Sequence, residues 1–193
     1  MLTGSIRALF VALLLVATPS IAADVKGLQV VEVGLFRART TGQSPAPQAV
    51  AESTNIIENV VFYEPTTKVP ARQGIRFGIR YRLIGTPARQ SVPLRVVWRI
   101  PEPGIENPKT GIHYRQGSSE SIGFIGEETM NGYSFDEPWE IRCGDWIQEI
   151  WLGQRKLHSQ TFTVEDCQGL PTSMRELPRC VDNPGDAAAC RAG

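Results

Sequence analysis

From Arg76 to Leu83 the chain alternates strictly, with Phe77, Ile79, Tyr81 and Leu83 on one side and Arg76, Gly78, Arg80 and Arg82 on the other. A period of two predicts a half-buried β-strand with a core face and a basic face. The segment from Lys68 leads into it through Pro70-Ala71 and a turn at Gly74. Val92 to Ile100 repeats the pattern, with Val92, Leu94, Val96, Trp98 and Ile100 opposite Pro93, Arg95, Val97 and Arg99. Gly85-Thr86-Pro87 supplies a turn between the two strands.

The same reading extends to the rest of the chain. Val25 to Arg37 is a first strand, Thr40 to Ala51 a loop rich in Thr, Gly, Ser, Pro and Ala, and Asn55 to Glu64 a second strand ended by Pro65. Pro101 to Thr110 reads as a loop and Ile112 to Arg115 as a short edge strand. Gly117 to Gly132 is rich in Gly, Ser and Glu, with Ile122, Phe124 and Ile125 as its anchors. Tyr133 to Cys143 reads as another strand. Ile147 to Val164 is the clearest hairpin, with its turn in LGQRKL. Beyond Cys167 no period is sustained. Short strands, Gly/Pro turns and the lack of an amphipathic helix predict an all-β sandwich of about 7–9 strands with an irregular C-terminal tail. An up-and-down barrel is the alternative. Loops such as Pro101 to Thr110, long enough to cross between sheets, favour the sandwich.

The first residues change the compartment. Arg7, the apolar run from Ala8 to Ala17, and Ser20-Ile21-Ala22 form the three-part pattern of a secretory signal peptide. The run is too short to span a bilayer, which takes about 20 apolar residues. The expected division is therefore signal peptide 1–22, β-sandwich domain 23–167 and Cys-containing tail 168–193. Cleavage is expected after Ala22 or Ala23, with no transmembrane segment afterwards and a periplasmic or secreted product. With 20 basic and 20 acidic residues in the whole chain, loss of Arg7 leaves a formal charge of about −1. A near-neutral chain lacks the basic footprint that nucleic acid requires.

The four cysteines, Cys143, Cys167, Cys180 and Cys190, suit two disulfides in an exported protein. With the hairpin turn near Gln154-Arg155, Cys143 and Cys167 come opposite each other just past its open end. Cys180 and Cys190 then pair in the tail. No C-x-x-C occurs, so neither a zinc site nor a redox pair is expected, and no cofactor is indicated.

Candidate chemistry is sparse. His113 and His158 have no nucleophile motif beside them, and GSSESIG from Gly117 to Gly123 lacks the G-x-S-x-G elbow. Glu127, Glu128, Asp136, Glu137 and Glu140 form an acidic run whose simplest reading is a solvated loop; paired carboxylates for glycoside hydrolysis are the functional one. If the two alternating strands pair, Arg76, Arg80, Arg82, Arg95 and Arg99 form one basic sheet face able to bind carboxylate or phosphate. A solvent face balanced by Glu58, Glu140 and Glu149 is the plainer account. Trp98, Trp139, Trp146 and Trp151 would make a sugar-stacking platform only if exposed, and Trp98 shares its face with Val96 and Ile100.

Three elements carry a resemblance: P-A-x-x-G-x-x-F-G (Pro70, Ala71, Gly74, Phe77, Gly78), W-x-x-P (Trp98, Pro101), and G-x-W with a closing F-x-V (Gly144, Trp146, Phe162, Val164). Over roughly Val30 to Val164 the chain resembles an uncharacterised bacterial family of exported proteins, a domain of unknown function. The resemblance implies an immunoglobulin-like sandwich and no catalytic residues. The expected function is a non-catalytic binding or accessory module acting on another exported or envelope protein. A periplasmic hydrolase built on residues 127–140, or a carbohydrate-binding module built on exposed Trp, is the alternative.

Overall fold

The computed structural model describes residues 22–168. The expected signal peptide and tail, with Cys180 and Cys190, lie outside the described residues.

Leu83, Tyr81, Ile79 and Phe77 are fully buried, and Val92, Leu94, Val96, Trp98 and Ile100 are buried with them. The two alternating segments are thus core strands, as their period requires. They belong to different sheets. Five strands of the first half are β1 (Asp24–Pro45), β2 (Ser53–Glu64), β3 (Lys68–Pro70), β4 (Arg76–Thr86) and β5 (Ser91–Arg99). The rest are β6 (Ile105–Asn107), β7 (Ile112–Tyr114), β8 (Gln116–Phe124), β9 (Glu128–Ser134), β10 (Gly144–Leu152) and β11 (Arg155–Glu165). One 3-10 turn, Pro138–Glu140, separates β9 from β10.

One sheet has the order β2-β1-β4-β9 and the other β3-β11-β10-β5-β8, with β6 and β7 forming a separate ribbon. Chain order places β4 and β9 as the B and E strands of an immunoglobulin sandwich, and β11-β10-β5-β8 as its G-F-C-C′ sheet. Trp98, buried on β5, occupies the place of the buried Trp on strand C. The strand total exceeds the expected 7–9 because β3, β6 and β7 are three residues each.

Several local expectations are corrected. The short turn after Thr86 crosses between sheets, whereas residues 101–110 return the chain to the same sheet, where β5 pairs with β8. Thr40 to Pro45 continues β1 rather than forming a loop. That half of β1 pairs with β2 alone and has no core to face, so the apolar alternation disappears while the ladder continues. Gly117 to Gly132 forms most of β8 and β9; Ile125 is buried, but Ile122 and Phe124 are exposed. The strand expected from Tyr133 to Cys143 stops at Ser134, and Pro138 opens the 3-10 turn. The segment Ile112–Tyr114 pairs with β6 and edges neither main sheet.

The hairpin of β10 and β11 forms as expected, and Cys143 and Cys167 are disulfide-bonded beyond its open end. This bridge ties two neighbours of one sheet, unlike the inter-sheet bridge of antibody domains.

Candidate functional site

The second half of β1 and the facing part of β2 leave the sheet as a hairpin arm. β1 pairs with β4 as far as Leu35 and with β2 from Leu35 onward. Gly34 lies at this handover, and a Cβ there would stand 2.0 Å from the Glu64 carbonyl oxygen, so only glycine fits.

The arm lies over the outer face of β4 and β9. Gly78 and Gly132 are directly opposite each other on that face. A Cβ on Gly132 would come within 2.6 Å of the Phe36 ring, so the pair of glycines makes the flat bed on which Phe36 rests. Phe36 in turn packs on Phe62 of the opposite arm strand, ring centres 5.5 Å apart.

The basic face of β4 holds this arm in place. Arg76 donates to the Ala38 carbonyl at 3.0 Å and to the Thr40 hydroxyl at 2.7 Å. Arg80 donates to the Val60 carbonyl at 3.3 Å, lies over the Phe62 ring and pairs with Glu32 at 2.7 Å. Arg82 pairs with Glu128 at 3.0 Å. Arg95 and Arg99 are on the other sheet. Arg95 lies over the Trp151 ring, while Arg99 and Lys156 both bond the buried Glu149 carboxylate. The five arginines therefore form no single patch. Burial works to raise the Glu149 pKa, but the hydrogen bonds from Lys156, Arg99 and Trp151 outweigh it and hold the carboxyl below its ordinary range.

The tip of the arm crosses to β8. Ser118 N–H donates to the Gln48 carbonyl at 2.8 Å, the Asn107 amide donates to the Val50 carbonyl at 3.0 Å, and Val50 is buried. Gly117 lies under the tip, where a Cβ would meet Val50 at 2.9 Å.

Beneath the arm, between β9 and β8, lies a cavity of about 230 Å³. Phe36, Val50, Ala51 and Asn55 line it from the arm, Ser118 and Ser119 from β8, Asn131 and Tyr133 from β9, and Trp98 from the core. Asp136 and Glu140 complete it. Both come from the acidic run that reads in the sequence as a solvated loop. Glu140 is instead only 3% exposed. It closes a capping box on the 3-10 turn, accepting from the Glu137 N–H at 2.8 Å and from the Tyr133 hydroxyl at 3.4 Å. Burial, with a smaller push from Asp136, raises its pKa to about 7. Burial first, then the charges of Glu140 and Asp136, push the Tyr133 phenol well above its ordinary value. Asp136 accepts from Asn55 at 2.5 Å and from Ser134 at 2.6 Å.

Behind this wall runs a buried polar chain. Tyr81 donates to the Asn131 side-chain oxygen at 2.7 Å, Asn131 donates to Ser121 at 3.0 Å, and Gln148 donates to the Asn131 carbonyl at 3.0 Å. The four tryptophans make no platform. Trp98 and Trp146 are in the core, Trp139 packs against it, and Trp151 lies between Arg95 and Lys156. His113 meets the Pro103 carbonyl at 2.5 Å. His158 is half-buried and its pKa is lowered by desolvation.

Residues 24–164 match a family model described as a domain of unknown function, DUF3859. The curated proteins contain no significant match. Among solved structures, an immunoglobulin-like protein from Pseudomonas aeruginosa is similar at 24% identity, covering 75% of this chain and 98% of its own, with a TM-score of 0.49.

Proposed function

We propose that this chain, which belongs to the DUF3859 family, a domain of unknown function, is an exported, non-catalytic binding module whose ligand occupies the cavity beneath the arm. The observation that carries this reading is the arm itself. Four arginine hydrogen-bond and ring contacts, two opposed glycines and a buried tip residue hold it across an otherwise open side of the sandwich. What it overhangs is a lined, partly open cavity rather than packed side chains. Phe36, Val50 and Trp98 give it apolar and aromatic walls of the kind ligand sites have, and Ser119, Asn131 and Glu140 are among the more numerous polar groups that converge on it. The volume falls below the ~300–1,000 Å³ of drug-sized sites, so the ligand is small or is the end of something larger. The Cys143–Cys167 disulfide supports an oxidising compartment.

An amide-resolved NMR screen of small polar fragments against the mature chain tests the cavity. Resonance shifts confined to Phe36, Val50, Ser119, Asn131 and Tyr133 are expected. Fragments that shift only other surfaces would end this reading. Export is tested by intact-mass measurement of the periplasmic product, expected to begin at Ala23 or Asp24. An unprocessed cytoplasmic chain would refute it.

One observation favours a second reading, an acid–base hydrolase: Asp136 and Glu140 share the cavity and the Glu140 carboxyl titrates at about 7. The binding reading is preferred because both oxygens of each carboxyl already accept a hydrogen bond. Turnover of cell-wall glycan fragments that disappears in Glu140→Gln would reverse that preference.

A further inference from the structure

We propose that the ligand is a short extended segment of another polypeptide, which adds to the free edge of β9 as a further strand of that sheet and places a side chain in the cavity. This rests on the cavity being the binding site. The cavity is lined by consecutive residues of two strands, 130–134 of β9 and 117–120 of β8. A sheet face shows only alternate residues to whatever lies above it. Consecutive residues reach one cavity where the strand presents its edge, so the main chain itself forms much of the wall.

The direction of the β9 backbone follows from its ladder with β4. The Phe135 N–H donates to the Ile75 carbonyl at 3.0 Å. By alternation Tyr133, Asn131 and Thr129 also turn their backbone groups to β4, while Ser134, Gly132 and Met130 turn theirs away. Among the described residues no hydrogen bond reaches these outward groups. They recur at every second residue, about 6.8 Å apart. A row of donors and acceptors with that spacing is the complement of another extended backbone.

A second observation separates β9 from the other outer strands. The ladder of β2 to β1 is broken by three register shifts, with Asn59 at φ 58 replaced by its own value of 55° at one of them. The strand β3 has three residues and ends in Pro70. The arm tip docks on β8, where Ser118 bonds Gln48 through both its N–H and its hydroxyl. Bulges, prolines, short length and covering segments are the usual protections of a sheet edge. In contrast, β9 keeps an unbroken register with β4 from Glu128 to Ser134 and contains no proline.

The occupant is a neutral segment free of its own sheet. Both oxygens of Asp136 and of Glu140 already accept hydrogen bonds, and Arg76 is committed to Ala38 and Thr40, so the wall offers no open ion pair. The arm overhangs the edge, with Phe36 against Gly132 and Asn55 bonded to Asp136. A second folded copy carries the same overhang on its own β9, which keeps the two edges apart. At ~30 Å³ per water, the cavity of about 230 Å³ has the volume of roughly seven waters, the size of a single residue rather than of a hairpin.

The test is an NMR titration of the full mature chain with a pool of blocked neutral tetrapeptides, acetyl-X-Ser-X-Ser-amide, where X is Ala, Val, Leu or Phe. The same pool N-methylated at every residue and methyl α-glucoside are the comparisons. Saturable shifts at Asn131 and Ser119 are expected with the first pool, together with slower amide exchange at Met130 and Gly132. The N-methylated pool, which has lost its ladder donors, is expected to bind at least about ten-fold more weakly. Met130→Pro removes an outward N–H that serves no ladder bond, so it is expected to keep the native spectrum and weaken peptide binding to a similar degree. If that variant folds poorly, the N-methylated pool still decides. Equal binding by both pools, or saturation by the glucoside alone, would overturn strand addition while leaving a binding cavity. Slow exchange at Met130 and Gly132 without peptide would overturn the partner: concentration dependence would assign the edge to a second copy, and its absence to a segment of this chain. Silence from all three probes would overturn both readings.

Discussion

Replacing Glu140 by Gln should stabilise the protein at alkaline pH. The carboxyl is 3% exposed, no described cation pairs with it, and its pKa in the fold is about 7 against an ordinary 4.5. A raised carboxyl pKa means that the folded state binds the proton more tightly than the unfolded chain. Stability from this group is therefore complete below about pH 4.5 and is lost as pH climbs to about 7. At 1.36 kcal/mol per unit, the full loss is about 3 kcal/mol. Gln keeps an oxygen for the Glu137 N–H and can donate its amide to the Tyr133 oxygen, but it takes away the acceptor of the Tyr133 O–H, a cost of about 1 kcal/mol. The variant should thus be about 2 kcal/mol more stable than the parent at pH 8 and about 1 kcal/mol less stable at pH 4. Urea unfolding followed by tryptophan fluorescence from pH 4 to pH 8 reads both. A difference that stays constant across that range, or a less stable variant at pH 8, would show that Glu140 is charged in the fold and would sink the electrostatic account of the cavity.

Three other perturbations test other parts of the structure. Cys143→Ser, which opens a loop of 24 residues, should cost about 3 kcal/mol by loop entropy, seen as a lower urea midpoint with an otherwise native spectrum; a loss under 1 kcal/mol would mean that the β10–β11 ladder fixes these ends unaided. Gly132→Ala places a methyl 2.6 Å from the Phe36 ring and should cost about 1–3 kcal/mol. Faster amide exchange at Phe36 and residues 46–52 should accompany it, and unchanged exchange there would mean that the arm is not seated on the glycine bed. Glu149→Gln removes the partner of Arg99 and Lys156. Because its folded pKa is lowered, the penalty should be present at pH 7 and fade as pH falls through the carboxylate range; a penalty that persists at pH 3 would point to packing instead.

The core was legible because a half-buried strand shows itself by its period. Phe77, Ile79, Tyr81 and Leu83 alternate, and all four are buried. The Cys143–Cys167 bridge was legible for a related reason, since the hairpin turn places its own ends opposite each other. The arm was not. Thr40 to Pro45 has a strand's ladder without a strand's alternation, because neither side of it faces the core. The same blindness affects the arginines. Alternation shows that Arg76 and Arg80 leave the core face, yet the pattern is identical whether water or another segment covers them. The pairing of β4 with β5 failed for a topological reason: a short turn after Thr86 joins neighbours across two sheets as readily as within one.

Glu140 shows why the cavity itself was hidden. In the sequence it is one of several acidic residues near Gly and Ser, a composition that reads as solvated. The 3-10 turn that carries it packs against β6, a neighbour that the sequence pattern does not announce. Among the described strands, β9 has no further neighbour in its sheet, and an open edge of this kind invites pairing with other chains. The arm crosses this side of the sandwich without extending the sheet. A strand added to β9 would have satisfied the edge and left no chamber. A hairpin held by arginines over the outer face, seated on the glycine bed at Phe36 and docked at its tip, covers the side while leaving space beneath. The arginines and the opposed glycines thus hold the roof in position over the cavity that Glu140 lines, where burial raises the carboxyl pKa to about 7.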